Sequence, residues 1–146
     1  MASLLRSGLG RLRAKRSSGY PRPVSTPEPP GKVAVERDPD GVSVVGLLGE
    51  HDLGTVPAVR DALNAAAARG ALVIDLSPAT FVDSSILGAI LAAQREAAAA
   101  GTGFAVACDG GADPVRKVLE ITGLSAELPV HPSRAAAVAA ALGTGP

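Results

Sequence analysis

Two short, nearly uninterrupted apolar runs constrain this chain more than any other feature of its sequence. They span residues 71–76 and 103–108, and Gly, Ser or Asp residues bound them. Apolar runs of this length without polar alternation are typical of β-strands that are covered on both faces. Such strands require packing layers on either side of their sheet, so the two runs predict a layered α/β fold.

The segments around these runs predict the other strands and helices. Alternating apolar and polar residues predict a hairpin of strands 32–37 and 42–48, joined by a turn at 38–41, and a further short strand at 127–130. Residues 49–54 and 77–80 read as loops. Helical spacing predicts about four helices, the first capped by Thr55 and the last begun by Ser133. The order is ββαβαβαβα, a single α/β domain over 32–146 in which an opening hairpin joins a mixed sheet with packed helices.

The core of this domain must be packed without large rings. Apolar residues make up 47% of the chain, whereas aromatic residues make up only 2%. Val, Leu, Ile and many Ala residues must therefore fill the interior, and small side chains allow helices to approach the sheet closely. The single cysteine, Cys108, excludes an intramolecular disulfide and is interpreted as a small core residue, which fits a reducing, cytoplasmic setting.

Residues 1–31 differ in composition from the rest of the chain. They carry a net charge of +5 and end in a segment with five prolines between Tyr20 and Gly31, whereas the remainder carries −5. Proline lacks a backbone donor and fixes φ, so we expect a disordered basic arm. Three interpretations of this arm remain open: contact with a membrane surface or nucleic acid through residues 4–16, a solvated tail, and a wrongly assigned start. No apolar run has signal-peptide or membrane-span length.

The most informative stretch is 72–88, where a buried strand leads to Asp83, Ser84 and Ser85 at the start of a helix. One interpretation is a helix cap, because Asp and Ser satisfy the exposed amides of the first turn. The other is a phosphorylation switch. A hydroxyl at a helix start is accessible to a kinase, and its phosphate would gain from the free amides and the helix dipole while repelling a docked partner.

Three segments of the chain resemble the STAS domain family, and specifically bacterial anti-sigma factor antagonists. The first is Asp83-Ser-Ser-Ile-Leu-Gly88, preceded by 73–77 and 81–82. The second is the loop 49–53, and the third is the helix end at 118–124. The resemblance covers roughly residues 33–142, with the segments in matching order, and excludes the arm.

The resemblance implies a role and a set of site residues. Ser85 is the implied phosphorylation site, with Ser84 as the alternative, and Asp52 and Asp83 flank it in two loops. Asp52, Asp83, Ser84, Ser85 and Ile86 are the expected partner-binding residues, although Ile86 stands where the family often has Gly. The expected partners are an anti-sigma factor that is also a serine kinase, which binds the unphosphorylated form and so releases a sigma factor, and a phosphatase that resets the switch. No cofactor is expected in this chain, since the nucleotide belongs to the kinase.

Other functions receive weaker support from the residues. A catalytic triad of Ser84 or Ser85 with His51 and Asp52 lacks the Gly-x-Ser-x-Gly pattern, and His51 is interpreted as an exposed loop residue. Two histidines and one cysteine in unrelated segments do not predict a metal site, and an acidic domain does not predict nucleic-acid binding. A STAS scaffold or adaptor in a stress-signalling or lipid-transport complex remains the alternative. The oligomeric state stays undetermined.

Overall fold

A computed structural model describes residues 31–109 and 114–143. The predicted arm therefore lies outside the described residues, except for Gly31. The elements, in chain order, are β1 (Lys32–Arg37), β2 (Ser43–His51), α1 (Val56–Ala67), β3 (Leu72–Asp75), β4 (Ala79–Val82), α2 (Ser84–Ala100), β5 (Phe104–Ala107), α3 (Pro114–Ile121), α4 (Leu124–Glu127), β6 (Val130–His131) and α5 (Arg134–Ala141). A 3₁₀ turn at Leu53–Thr55 precedes α1.

The strands form one mixed sheet, which confirms the predicted α/β class. Its order is β1-β2-β3-β5-β6, with β1 antiparallel to β2 and the other neighbours parallel. Strand β4 pairs in parallel with the far part of β2, beyond the stretch that pairs with β3. Within the described parts of the chain, no helix is both long and apolar enough to cross a membrane.

Three local predictions are wrong. Part of the predicted loop at 77–80 belongs to β4, because Ala79 to Val82 find backbone partners along β2. Strand β2 runs to residue 51 rather than 48, through an irregularity between Gly49 and Glu50 that shifts the register. The predicted strand 127–130 is displaced: α4 includes residue 127, and β6 begins only at 130.

Apolar side chains on the two faces of the sheet form two separate cores. Helices α1 to α4 cover one face, whose buried residues include Leu47, Ile74 and Val106. Among the helices of the described ranges, α5 covers the other face, against Val73 and Ala105. The two inner strands, β3 and β5, are thus buried on both faces, as their continuous apolar sequence predicts. Cys108 lies fully buried in the first core, which agrees with its interpretation as a core residue.

Helix α5 lies unusually close to the sheet because its buried residues are small. Ala137, Val138 and Ala141 face the strands, and a side chain at Gly103 would lie only 1.7 Å from the carbonyl oxygen of Ala141. An ion pair fixes the start of this helix: Arg134 Nη2 lies 3.0 Å from Oδ2 of Asp75, whose side chain is almost fully buried. The pairing offsets part of the desolvation cost of the carboxylate, and loss of Arg134 alone would leave a buried charge uncompensated.

We predict opposite effects for the same substitution at two glycines. Gly103→Ala should lower the free energy of unfolding by about 1–3 kcal/mol, because its new methyl group would collide with the backbone of α5. Gly88→Ala should raise it by about 0.5–1 kcal/mol, because Gly88 lies in the interior of α2 with no neighbouring atom within 4 Å of an added methyl. Urea unfolding of both variants measures the difference. Destabilisation of similar size in both would contradict the close packing of α5.

Candidate functional site

The predicted site residues meet where two parallel strands end side by side. In the β2–β4 pair, His51 is the register partner of Val82, and the next amide, Asp83 N–H, donates to the His51 carbonyl at 3.2 Å. Asp52 and Asp83 therefore follow neighbouring strand ends. The backbone of both residues is still extended. The structure thus brings together the two loops that the sequence resemblance singled out.

Asp83 organises the first turn of α2. As the N-cap residue, its Oδ1 accepts hydrogen bonds from the backbone amides of Ser85 at 3.0 Å and Ile86 at 3.2 Å. The same oxygen accepts the hydroxyl of Ser85 at 2.5 Å. One carboxylate oxygen therefore satisfies two exposed amides of the helix start and also fixes the rotamer of the serine.

These donors change the acidity of Asp83. The hydrogen bond from the Ser85 hydroxyl, followed by those from the amides of Ile86 and Ser85, holds the pKa of the Asp83 carboxyl below its usual value, against the opposing effect of burial. Asp83 and Asp52 follow paired strand ends, so the two loops share a sheet edge.

The two candidate serines differ in exposure. Ser84 is exposed, whereas Ser85 is half-buried, with its hydroxyl directed at Asp83. Ser85 is therefore not enclosed in the interior. A phosphorylation switch depends on this condition.

Ile86 does not belong with the expected partner contacts. Its side chain is fully buried in the first core, and its amide is bonded to Asp83. The sequence interpretation that grouped it with the partner-binding residues is therefore wrong for its side chain. Helical geometry explains this, because a residue one position after an outward-facing serine turns toward the sheet.

Asp52 caps a turn of its own. Its Oδ1 accepts the amide of Gly54 at 2.9 Å, and its own amide donates to the hydroxyl of Thr55 at 3.2 Å. Thr55 was predicted to cap α1, but its side chain makes no such bond and instead closes this capping box around the 3₁₀ turn. The Asp52 side chain is exposed, and it follows the strand end that pairs with the one leading into α2.

His51 is buried, contrary to the prediction of an exposed loop residue. Its side chain has no solvent exposure. Nε2 lies 3.1 Å from the carbonyl oxygens of both Lys32 and Leu48, and Nδ1 lies 3.0 Å from the hydroxyl of Thr55. Carbonyl oxygens only accept, so Nε2 carries a hydrogen. The ring ties the start of β1 to the end of β2 and to the Asp52 turn.

Sequence reasoning missed two exposed apolar side chains beside these carboxylates. Leu53 is 72% exposed and Phe81 is 48% exposed. Phe81 is the register partner of the exposed Glu50. Because side chains alternate along a strand, Glu50 and Asp52 share a face, as do Phe81 and Asp83. We call the set Glu50, Asp52, Leu53, Phe81 and Asp83 the edge surface.

The arrangement does not form the triad considered from the sequence. The Ser85 hydroxyl donates to Asp83, while both ring nitrogens of His51 are engaged elsewhere. In the described ranges, no group of three or more His, Cys, Asp or Glu residues is positioned to hold a metal ion. Chemically, the site presents a hydroxyl and carboxylates next to exposed apolar side chains, a combination suited to contact with another macromolecule.

Comparison with known proteins identifies relatives of this chain. The STAS domain family matches residues 34–137. An anti-sigma factor antagonist from Mycobacterium paratuberculosis is 38% identical in a structural match with a TM-score of 0.67 that covers 77% of this chain and 94% of that one. No curated protein sequence matches this chain.

More distant structures share the fold. A putative anti-sigma factor antagonist from Thermotoga maritima is 20% identical, with a TM-score of 0.59, over 75% of this chain and 94% of that one. SpoIIAA from Bacillus, in its phosphorylated form, is 22% identical, with a TM-score of 0.54, over 68% of this chain and 89% of that one.

We predict that Asp83 makes the stability of the domain depend on acidity. A carboxyl with a lowered folded pKa stabilises the fold fully above its unfolded pKa, and this contribution is lost as the pH falls through the folded pKa. Asp83→Asn retains a capping oxygen but cannot titrate. Between about pH 6 and pH 2, its free energy of unfolding should therefore fall less than that of the unsubstituted chain.

Urea unfolding across this range measures the effect, with Asp61→Asn on the exposed side of α1 as the matched control. Asp83→Ala, which removes the cap, should destabilise the domain by about 1 kcal/mol at neutral pH. Parallel pH profiles for the Asp83→Asn variant and the unsubstituted chain would contradict the assignment.

Proposed function

The chain belongs to the STAS domain family, and we propose that it is an anti-sigma factor antagonist controlled by phosphorylation of Ser85. In this proposal, the unphosphorylated form binds an anti-sigma factor that is also a serine kinase, and a sigma factor is thereby released. Phosphorylation at Ser85 ends the binding, and a phosphatase restores it. The relative from Mycobacterium paratuberculosis, which is itself an anti-sigma factor antagonist, supports this general role.

The observation that carries the proposal is the position of the Ser85 hydroxyl. It lies at the first turn of α2, half-buried, against Asp83 and within a surface that also presents Leu53 and Phe81. A partner that buries these two apolar side chains would also cover the hydroxyl, which itself carries no charge. A phosphate at the same point would place a dianion inside the interface, where its desolvation is unfavourable.

The hydrogen bonds around Asp83 change the expected effect of the phosphate. From the sequence, the first-turn amides of α2 seemed free to bind it, but two of them already donate to Asp83. A phosphate on Ser85 must either displace this carboxylate or stand beside it as a like charge. In both cases the Ser85–Asp83 bond is lost, so phosphorylation alters the shape of the surface as well as its charge.

We expect phosphate to be transferred to Ser85 and not to Ser84. Incubation with the cognate kinase and ATP, followed by mass spectrometric mapping, should give one phosphate on the unsubstituted chain and on Ser84→Ala. Ser85→Ala should remain unmodified. The two variants are matched, because each removes one hydroxyl from the same helical turn. Retained label in Ser85→Ala would transfer the assignment to Ser84 or to another residue.

We also expect a charge at position 85 to abolish partner binding. Ser85→Asp should weaken binding to the anti-sigma factor by at least about tenfold, or ~1.4 kcal/mol, whereas Ser85→Ala should bind without being switched off. Ser85→Asn matches Asp in size without its charge and separates steric from electrostatic effects. Calorimetric titration measures all three. Equal affinities for Ser85→Asp and Ser85→Ala would favour a scaffold or adaptor role without a phosphorylation switch.

A further inference from the structure

We propose that the basic segment 4–16 of the chain docks on its own edge surface and competes there with partner proteins. The docking itself concerns this chain alone. Its regulatory consequence rests on the proposed function, because the edge surface is also where the anti-sigma factor would bind. The exit point of the arm, its composition and its length each favour this occupant.

The exit point of the arm is fixed beside the edge surface. Gly31 packs so closely that an added Cβ would lie 2.3 Å from the Glu50 carbonyl oxygen and 2.6 Å from Nε2 of His51. The next residue, Lys32, gives its carbonyl oxygen to the same ring nitrogen. Since the His51 carbonyl accepts the amide of Asp83, the arm leaves the domain next to the strand ends that carry Asp52 and Asp83.

The composition of the segment complements that of the edge surface. Segment 4–16 contains five basic residues, no acidic residue and four leucines. The edge surface offers the carboxylates of Glu50, Asp52 and Asp83 next to the exposed side chains of Leu53 and Phe81. Opposite charges and apolar side chains are thus available on both partners, which is the usual pairing at a protein interface.

The connection between the segment and the domain is long enough for docking on the edge surface, and also for docking on one alternative site. Residues 17–30 form a linker that spans roughly 45 Å when extended. Strand β2 is about 30 Å long, so the far end of the sheet is also within reach. There, Asp38 and Asp40 lie beside Val138 and Leu142 in a shallow cavity, which is another acidic and apolar site. The edge surface is favoured because the exit point beside it raises the effective concentration of the segment.

Phosphorylation would strengthen this contact. A phosphate on Ser85 adds nearly two negative charges beside Asp83, and arginine is the side chain best suited to bind phosphate in a bidentate manner. The same modification that repels the anti-sigma factor would therefore attract the arm. The arm would act as an intramolecular competitor whose affinity rises when partner binding must end.

A spin label on the arm tests the docking directly in the full chain. Ser7→Cys in a Cys108→Ala background provides a single attachment point, and the amide signals of isotope-labelled protein report proximity. We expect the signals of Leu53, Phe81 and Ser84 to lose most of their intensity, while those of Asp40 and Gly41 are retained. Arg11→Glu with Arg13→Glu should restore the signals, and Arg22→Glu, outside the segment, should not.

Three outcomes would overturn the proposal. Signal loss confined to Asp40 and Gly41 would assign the arm to the far cavity. Spin-labelled chains without isotope can be mixed with isotope-labelled chains without spin label. Signal loss in this mixture would identify a second copy as the occupant. The absence of signal loss at any described residue would mean that the arm does not dock.

Partner binding then tests the consequence. In the unsubstituted chain the docked arm would compete with the anti-sigma factor. The double variant Arg11→Glu with Arg13→Glu should therefore bind the anti-sigma factor several-fold more tightly than the unsubstituted chain, whereas Arg22→Glu should not. Unchanged affinity would refute the competition. If the arm docks but Ser85→Asp binds the anti-sigma factor as tightly as the unsubstituted chain, the proposed function is wrong and the docking stands. If the arm does not dock but Ser85→Asp loses binding, only the docking is wrong.

Discussion

The site depends on one oxygen atom, Oδ1 of Asp83. It accepts two amides and the Ser85 hydroxyl, and so determines where α2 begins and where the serine points. The backbone amide of the same residue donates to the His51 carbonyl and so links the helix start to the end of β2. A single acceptor with this many donors makes the site well ordered. It also makes the site sensitive to any new charge, because two first-turn amides and the serine hydroxyl already donate to this carboxylate.

His51 stabilises this arrangement through its side chain and its backbone. Its buried ring links the start of β1 with the end of β2 and the turn that holds Asp52, while its backbone carbonyl accepts the amide of Asp83. None of these hydrogen bonds joins His51 to Ser85, yet His51 supports both loops beside Ser85. A histidine that seemed peripheral from the sequence thus joins the start of β1, the end of β2 and the site.

The sequence predicted those features that local pattern encodes. The continuous apolar runs identified the strands buried on both faces, and the Asp-Ser-Ser stretch identified the start of α2 with its cap. Strand β4 escaped prediction because its partner is supplied by β2 and not by its own composition. The burial of His51 escaped because residues 49–54 were interpreted as a loop, whereas β2 continues to His51 and the alternation that buries Leu47 buries this residue too. Ile86 was misplaced because the family motif was read as a continuous surface, whereas a helix turns successive side chains in different directions.

The irregularity beside Gly49 has a consequence for how the domain tolerates change. The register steps from Gly49–Ala79 to Glu50–Phe81, so the extra residue is Thr80 of β4, and the alternation of inward and outward side chains in β2 continues from Leu47 to His51. At this strand end His51 must satisfy the interior, whereas Glu50, Asp52 and Leu53 face outward. Recognition by new partners could therefore evolve at these three positions without any compensating mutation in the interior of the sheet.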